Sequence, residues 1–195
     1  ADIKEKDAQH MWIGTATGLY LLNKETGKFQ NISMPIESFY INALYQIADS
    51  LLYIGTSNSG LLIYNYHRKS FEHFHKDNCP LISNNIYTIL PDGNKSVLLS
   101  TENSLTSYYP EGKIFHNWTK EQGLKSDHFN ASSGVLRKNG NFILGSTDGA
   151  IEFHKDMMIP RNYEFKMIFS DLRVFYQTVY PGDEGSPLEV DIDET

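Results

Sequence analysis

Cysteine is all but missing. Cys79 stands alone among 195 residues, so no disulfide closes within the chain and a small secreted scaffold stapled by bridges is excluded. That does not exclude an oxidising compartment, because a large β-fold manages without bridges. Basic residues are also few: 17 Lys and Arg against 24 Asp and Glu leave a formal charge of −7. Nucleic acid and anionic membrane surfaces both need a basic footprint and make poor partners. Neutral ligands or a partner protein suit this surface better. Apolar runs stop at four or five residues, far short of the ~20 of a membrane helix. No signal peptide opens the chain; Ala1-Asp2-Ile3-Lys4-Glu5 is charged and has the character of an internal cut. Helical periodicity is nearly absent, and an all-β chain is the consequence.

One phrase is present four times: a short apolar run, a small polar bend, and a second apolar run. The copies are Trp12-Ile13-Gly14-Thr15 to Gly18-Leu19, Tyr53-Ile54-Gly55-Thr56 to Gly60-Leu61, Leu98-Leu99-Ser100-Thr101 to Ser104-Leu105, and Ile143-Leu144-Gly145-Ser146 to Gly149-Ala150. Their first residues stand at positions 12, 53, 98 and 143, in steps of 41, 45 and 45 residues. A period of roughly 40 to 50 residues built from short strands is that of β-propeller blades. The 12 Tyr and 11 Phe supply the bulky residues such strands favour.

The second unit is the clearest. Strands are predicted over Ile41–Ala48, Leu51–Thr56, Leu61–Tyr66 and Phe71–His75, with turns at Ser50, Ser57-Asn58-Ser59-Gly60 and His67-Arg68-Lys69-Ser70. Gly14, Gly55 and Gly145 are expected where adjacent blades crowd or the chain bulges, and Gly18, Gly60 and Gly149 where a bend needs positive φ. Ser100 and Ser104 replace them in the third unit, whose bend must be built differently. Outer hairpins recur at Glu25-Thr26-Gly27-Lys28-Phe29 and Glu111-Gly112-Lys113-Ile114-Phe115. The fold class expected is a partial β-propeller, residues 1–159, of about four blades of four antiparallel strands. Four blade-like sheets, or three complete ones with partial strands beside them, are the prediction. Beyond Pro160-Arg161-Asn162 the repeat ends. A strand is expected over Lys166–Phe175, a loop over Tyr180–Pro187 and a further strand from Leu188 to Ile192. Residues 160–195 are too few to bury a core and are expected to open an incomplete β-sandwich.

Trp12-Ile-Gly-Thr-Ala-Thr-Gly-Leu resembles the two-component regulator propeller repeat, as does Asn84-Asn85-Ile86-Tyr87-Thr88-Ile89-Leu90-Pro91-Asp92. Gly123-Leu124-Lys125-Ser126-Asp127-His128-Phe129-Asn130, followed by Asn139-Gly140-Asn141-Phe142-Ile143-Leu144-Gly145-Ser146-Thr147-Asp148-Gly149, is similar to the last blade of such sensors. Phe165–Pro187 resembles the start of the triple-tyrosine (Y_Y_Y) Ig-like domain that follows it. The resemblance covers essentially the whole chain. It implies the periplasmic ectodomain of an inner-membrane hybrid two-component histidine kinase of the Bacteroides type. Such a sensor detects a polysaccharide-derived oligosaccharide, regulates glycan-utilisation genes, and works as a homodimer. This segment itself would carry no catalysis, no cofactor and no nucleic-acid contact. Departures from the pattern are the small number of blades, the missing Gly and Trp of the third repeat, and terminal tyrosines that would lie beyond Thr195.

His73 and His75 flank Phe74 and share a strand face at metal-site spacing, but no third ligand is near. Asp49, Asp92 and Asp148 fall in turns, where hairpin chemistry explains Asp92-Gly93 and Asp148-Gly149. No Gly-x-Ser-x-Gly elbow, phosphate loop, sialidase Asp-box or WD-repeat mark is present. Asn31, Asn117 and Asn130 stand in Asn-x-Ser/Thr triplets, which chance makes common. Sugar binding needs an aromatic face beside amides and hydroxyls. The loops that enter each inner strand lie on one propeller face and offer Ser38, Phe39 and Tyr40, then Asn84 and Asn85, then His128, Phe129 and Asn130. Of these, Ser38, Phe39, Tyr40, Asn84, Asn85, His128 and Asn130 form the expected ligand set, with Phe129 assigned to packing between blades. Trp12 occupies a packing slot, and Trp118 suits either packing or stacking. A propeller glycosidase or lyase, which needs a carboxylate pair, and a protein-interaction propeller are the alternatives.

Overall fold

Strand follows strand in a meander, and each meander is a separate antiparallel sheet. In a computed structural model the first sheet is β1 (Asp2–Glu5), β2 (His10–Thr15), β3 (Gly18–Asn23) and β4 (Phe29–Ile32). The second is β5 (Tyr40–Ile47), β6 (Leu51–Ser57), β7 (Leu61–Asn65) and β8 (Ser70–Phe74). The third is β9 (Ile86–Pro91), β10 (Val97–Thr101), β11 (Leu105–Tyr109) and β12 (Ile114–Trp118). The fourth has three strands among the described residues: β13 (Phe129–Leu136), β14 (Asn141–Ser146) and β15 (Gly149–His154). The structure describes residues 1–36, 40–47, 50–92, 96–158, 172–174 and 177–180. The chain divides into two compact units, Ala1–Ile159 and Pro160–Thr195. The expected all-β, blade-like architecture is observed: among the described residues, three sheets of four strands and one of three stand where about four blades of four strands were expected. Charged β1 pairs with β2 from Asp2↔Gly14 to Glu5↔Met11 and is the inner strand of the first blade.

Packing between neighbouring sheets explains the composition of the strands. Alternate residues point to opposite faces, and a blade with a neighbour on both sides buries both. Leu52 and Ile54 of β6 join Trp12, Leu19, Ile41 and Leu44 in the core between the first two sheets. Tyr53, between them in sequence, joins Ile86, Ile89 and Leu99 in the core between the second and third. Leu98 then packs with Phe129, Phe142 and Leu144 between the third and fourth. Runs such as Leu51-Leu52-Tyr53-Ile54 therefore alternate in destination while remaining continuously apolar. Trp12 is 1% exposed, with its indole N–H donating to Gln46 Oε1 at 2.9 Å. It is a packing residue. Trp118 is half-buried, packs against the third core and donates to Ser107 Oγ at 3.3 Å.

Close approach explains the repeated glycine. A Cβ at Gly14 would lie 2.4 Å from Ile41 Cγ2, and one at Gly55 would lie 2.7 Å from Ile86 Cγ2. In each case the inner strand of the next blade fills the space. Gly145 serves differently: its Cβ would lie 2.9 Å from Ser133 Cβ, on the bulged strand of its own sheet.

The bend after that glycine is held by a hydroxyl in every blade. Thr15, Thr56, Thr101 and Ser146 donate to the carbonyls of Gly18, Gly60, Ser104 and Gly149 at 2.8–3.0 Å. The third blade needs no positive-φ glycine, because Ser104 N donates back to Thr101 Oγ1 at 3.0 Å and the two hydroxyls meet at 2.8 Å. On the outer side, Asn23 and Asn65 each accept backbone N–H groups two and three residues on, closing the hairpins as Asx turns.

In the second unit, β16 (Leu172–Val174) and β17 (Gln177–Val179) form an antiparallel hairpin with Arg173 opposite Thr178. β16 falls within the strand expected over Lys166–Phe175, and β17 was not anticipated. The strand expected at Leu188–Ile192 lies outside the described residues.

Candidate functional site

Antiparallel pairing brings the start of each inner strand beside the end of the next strand: Tyr40↔Ser57, Ile86↔Thr101 and Phe129↔Ser146. The entry loops and the hydroxyl-closed bends therefore share one face. Hydrogen bonds join them across blades. Gly60 N donates to Asn84 O at 2.8 Å, and Asn58 N to Asn85 Oδ1 at 2.8 Å. In the fourth blade Thr147 N donates to His128 O at 3.0 Å.

The sequence-derived residues fall on this face in different states. Tyr40 is 48% exposed, its ring open to solvent. Asn84 is half-buried, with Oδ1 accepting from Lys76 N at 2.8 Å. Asn85 uses Oδ1 on Asn58 N and donates from Nδ2 to Glu102 Oε2 at 2.9 Å. His128 is exposed, with Nδ1 3.0 Å from Asp127 Oδ1. Asp127 also faces the Lys120 ammonium at 3.1 Å, and the hydrogen bond from Lys120 holds its carboxyl below the usual range. Asn130 is exposed, while Phe129 is buried in the core between the third and fourth blades. Ser38 and Phe39 lie outside the described residues.

Residues singled out for other chemistry have local partners. The His73 and His75 rings meet at a tilt of 48° with centroids 4.8 Å apart; His73 Nε2 lies 2.6 Å from Ser59 O, and His75 Nδ1 3.4 Å from Asp77. Among the described residues no group of three or more His, Cys, Asp or Glu is placed to hold a metal. Asp92 accepts from the Ser96 hydroxyl, and Asp148 is exposed in its bend. Asp49 lies outside the described residues. Among the described residues three carboxyls have clearly displaced titration: Asp7, Asp127 and Glu152. Side-chain hydrogen bonds from Lys6, Lys120 and Asn141 respectively are the leading causes, and all three are held down. A general acid needs the opposite displacement.

A second feature lies where the inner strands converge and was not anticipated from sequence. A cavity of about 190 Å³ runs between β1, β5, β9 and β13. Asp2 and Lys4 line it from β1, Asn42 and Leu44 from β5, Thr88 from β9, and Ser132 from β13. Asp2 Oδ2 accepts Leu44 N at 2.8 Å and ties the first two blades together. Asn42 is buried; both hydrogens of its amide are used, on Ser57 Oγ and Ile86 O, each at 3.0 Å. The Thr88 hydroxyl is buried and has no hydrogen-bond partner. The β13 wall is distorted: the register passes from Phe129↔Ser146 to Gly134↔Leu144, so four residues oppose Gly145 alone. Ser132 at the crest of this bulge has φ +54, and Ser133 Oγ bonds Gly145 O at 3.1 Å. Bulges and positive-φ non-glycine residues concentrate at binding sites. The small-residue run Ala131-Ser132-Ser133-Gly134 was the one available sequence signal.

The comparisons with known proteins agree with this architecture. The chain is 24% identical over 194 residues to Histidine kinase P4 of Formosa agariphila, covering 94% of this chain and 14% of that protein. Among solved structures it is similar to the extracellular domain of the putative hybrid two component system BT3049 from B. thetaiotaomicron. There the TM-score is 0.62 at 22% identity, over 78% of this chain and 20% of that one. The extracellular domain of the putative one component system BT4673 from the same organism gives 0.63 at 22% identity, over 78% and 21%. The WD40 β-propeller domain of Doa1 gives 0.61 at 15% identity, over 77% and 49%. No protein-family model matches the chain. At these identities the structural likeness establishes β-propeller blades, and the chain spans about a fifth or less of the sensor proteins it matches.

Proposed function

We propose that this chain is part of the periplasmic ectodomain of an inner-membrane hybrid two-component histidine kinase. In that reading residues 1–159 are propeller blades, residues 160–195 open a Y_Y_Y Ig-like domain, and the ectodomain works as a homodimer. The ligand is an oligosaccharide cut from a polysaccharide, and its binding regulates glycan-utilisation genes. The observation that carries the reading is the alignment of 94% of the chain with a histidine kinase, joined to blades similar to the extracellular domains of two-component systems. The face of entry loops supports it with an exposed aromatic, Tyr40, and polar side chains from two further blades. Asn84, Asn85, His128 and Asn130 are the proposed polar contacts, with Ser38 and Phe39 beside Tyr40 in sequence. Signalling requires only that the ligand bind one state of the receptor better than the other.

Two measurements test this. Sequencing the gene on both sides should find further blade repeats upstream and a membrane helix with a kinase downstream; a stop codon after the Ig-like domain would refute the signalling role. Calorimetric titration with arabino-, galacto-, xylo-, manno- and fructo-oligosaccharides should find one that binds. Tyr40→Ala and His128→Ala should weaken it by about five-fold or more, the loss of one good contact. Binding that is insensitive to every loop substitution would remove the ligand from this face.

A further inference from the structure

We propose that the uncovered side of the first sheet is an interface, and that its occupant is a further blade of the longer protein, the one that precedes these in sequence. This rests on the reading of the chain as part of a larger receptor and names the partner of one surface.

Register and alternation define the surface. Residues paired across adjacent strands share a side of the sheet. Trp12, Leu19, Leu21 and Ile32 turn toward the second blade. The other side carries Ile3, Ile13 and Tyr20 in one row and Met11, Leu22 and Phe29 in the next. None of these six belongs to a buried core among the described residues. Ile3 is 54% exposed and Phe29 63%. An apolar surface continuous over four strands marks an interaction site.

The repeat shows what fits it. Aligned on the Gly-Thr phrase, the same positions of the second blade are Leu44, Ile54 and Leu62, then Leu52, Tyr64 and Phe71. All six pack in the core beneath the first blade, and Leu44, the counterpart of Ile3, is 1% exposed. Phe115, the counterpart of Phe29 in the third blade, is 7% exposed in the core it shares with the second. The first blade thus covers the second and the second covers the third, so the blade before the first covers it. At the centre of each contact the first residue of the earlier phrase meets the third strand of the later blade. Trp12 meets Tyr64 with ring centroids 6.0 Å apart, and Tyr53 meets Tyr108 at 6.1 Å. By the same register the occupant sets a large apolar residue on Leu22.

The fourth blade does not fit this surface, whether from the same chain or from a second copy. Its own uncovered side holds Arg137, Asn141 and Glu152 where the second blade has Ile47, Leu51 and Ile63. Glu152 Oε1 accepts from Asn141 Nδ2 at 2.7 Å and meets Arg137 at 3.2 Å. Pressing that ion pair onto Ile13 and Leu22 would cost a desolvation that its Coulomb energy does not recover. The chain spans 14% of the histidine kinase it matches and 20% of a sensor ectodomain, which leaves most of such a protein to supply the blade.

The test is thiol protection. Ile3→Cys, Phe29→Cys and a control, Ile114→Cys, are made in a Cys79→Ala background, in the 195-residue chain and in the full-length protein its gene encodes. Ile114 is 56% exposed on the third blade, which has a neighbour on each side. The rate of maleimide labelling is measured for each. Ile3→Cys and Phe29→Cys should label freely in the 195-residue chain and about ten-fold or more slowly in the full-length protein, because a buried thiol is inert. Ile114→Cys should label equally fast in both. The gene should also encode a large apolar residue 41–45 residues before Trp12, the step of the repeat, with Gly or Ser two places after it. Equal labelling of both surface positions in the two proteins would overturn the proposal. So would protection that sets in as the 195-residue chain is concentrated, which would make a second copy the occupant, or protection with no blade repeat encoded upstream. A protected surface in a protein without a kinase would refute the sensor reading alone, and an unprotected one in a kinase would refute only this inference.

Discussion

Replacing Gly55 by alanine tests the packing between blades at its tightest point. The added Cβ would stand 2.7 Å from Ile86 Cγ2, 3.1 Å from Ile86 Cβ and 3.4 Å from Ile86 O. Ile86 is fully buried between the second and third sheets, so it has no empty rotamer to adopt. Overpacking of this kind costs about 1–3 kcal/mol. Gly55 is not at positive φ, so alanine adds no backbone strain there and recovers about 0.4–1 kcal/mol by restricting the unfolded chain. The net expectation is a loss of up to about 2.6 kcal/mol, at roughly 2–4 °C in Tm per kcal/mol for a chain of this length. Ile86→Ala alone should cost about 2–5 kcal/mol by leaving a cavity. The double variant should lose less than the sum, by about 1–2 kcal/mol, because alanine at 86 removes the atom that clashes. Urea unfolding followed by tryptophan fluorescence measures all four corners of this cycle. Additivity within ~0.5 kcal/mol, or a Gly55→Ala variant more stable than the parent, would refute the account of the repeated glycine.

Two further expectations follow from the core. Trp12→Ala should cost about 3–5 kcal/mol, read as a lower urea midpoint, because the indole is buried between the first two blades and leaves Gln46 without its donor. Alkaline pH should unfold the chain through its buried phenols. Burial pushes the Tyr53 phenol up to about 12 and raises Tyr108 as well. A folded-state value above the unfolded ~10 means the stabilisation is complete below pH ~10 and is lost as pH rises through about 12. For Tyr53 this amounts to roughly 2–3 kcal/mol. Absorbance at the phenolate band should show Tyr53→Phe retaining more of its stability across that window; parallel loss in both proteins would refute the assignment.

Much of this molecule is legible in one dimension. The Gly-Thr phrase recurs because the same inter-blade contact and the same hydroxyl-closed bend recur. A period of 41–45 residues therefore announces the sheets, and the strands of the second blade fall within a residue or two of expectation. Even the third blade's missing glycines were correctly a sign of a different bend, which Thr101 and Ser104 build with two hydroxyls. The reason is that blade packing and turn chemistry act between residues that are near in sequence or one repeat apart. The bounds of β1 were not drawn from the sequence, because its charged residues carry no apolar signature. The cavity escaped for a deeper reason. Asp2, Asn42, Thr88 and Ser132 belong to four different blades, and nothing in the neighbourhood of any one of them tells of the others. Whether a threonine hydroxyl is paired or stranded, and whether a lysine meets a carboxylate, is decided only when the sheets are arranged side by side. The blades are a property of the local sequence, and the space they enclose is a property of the tertiary structure.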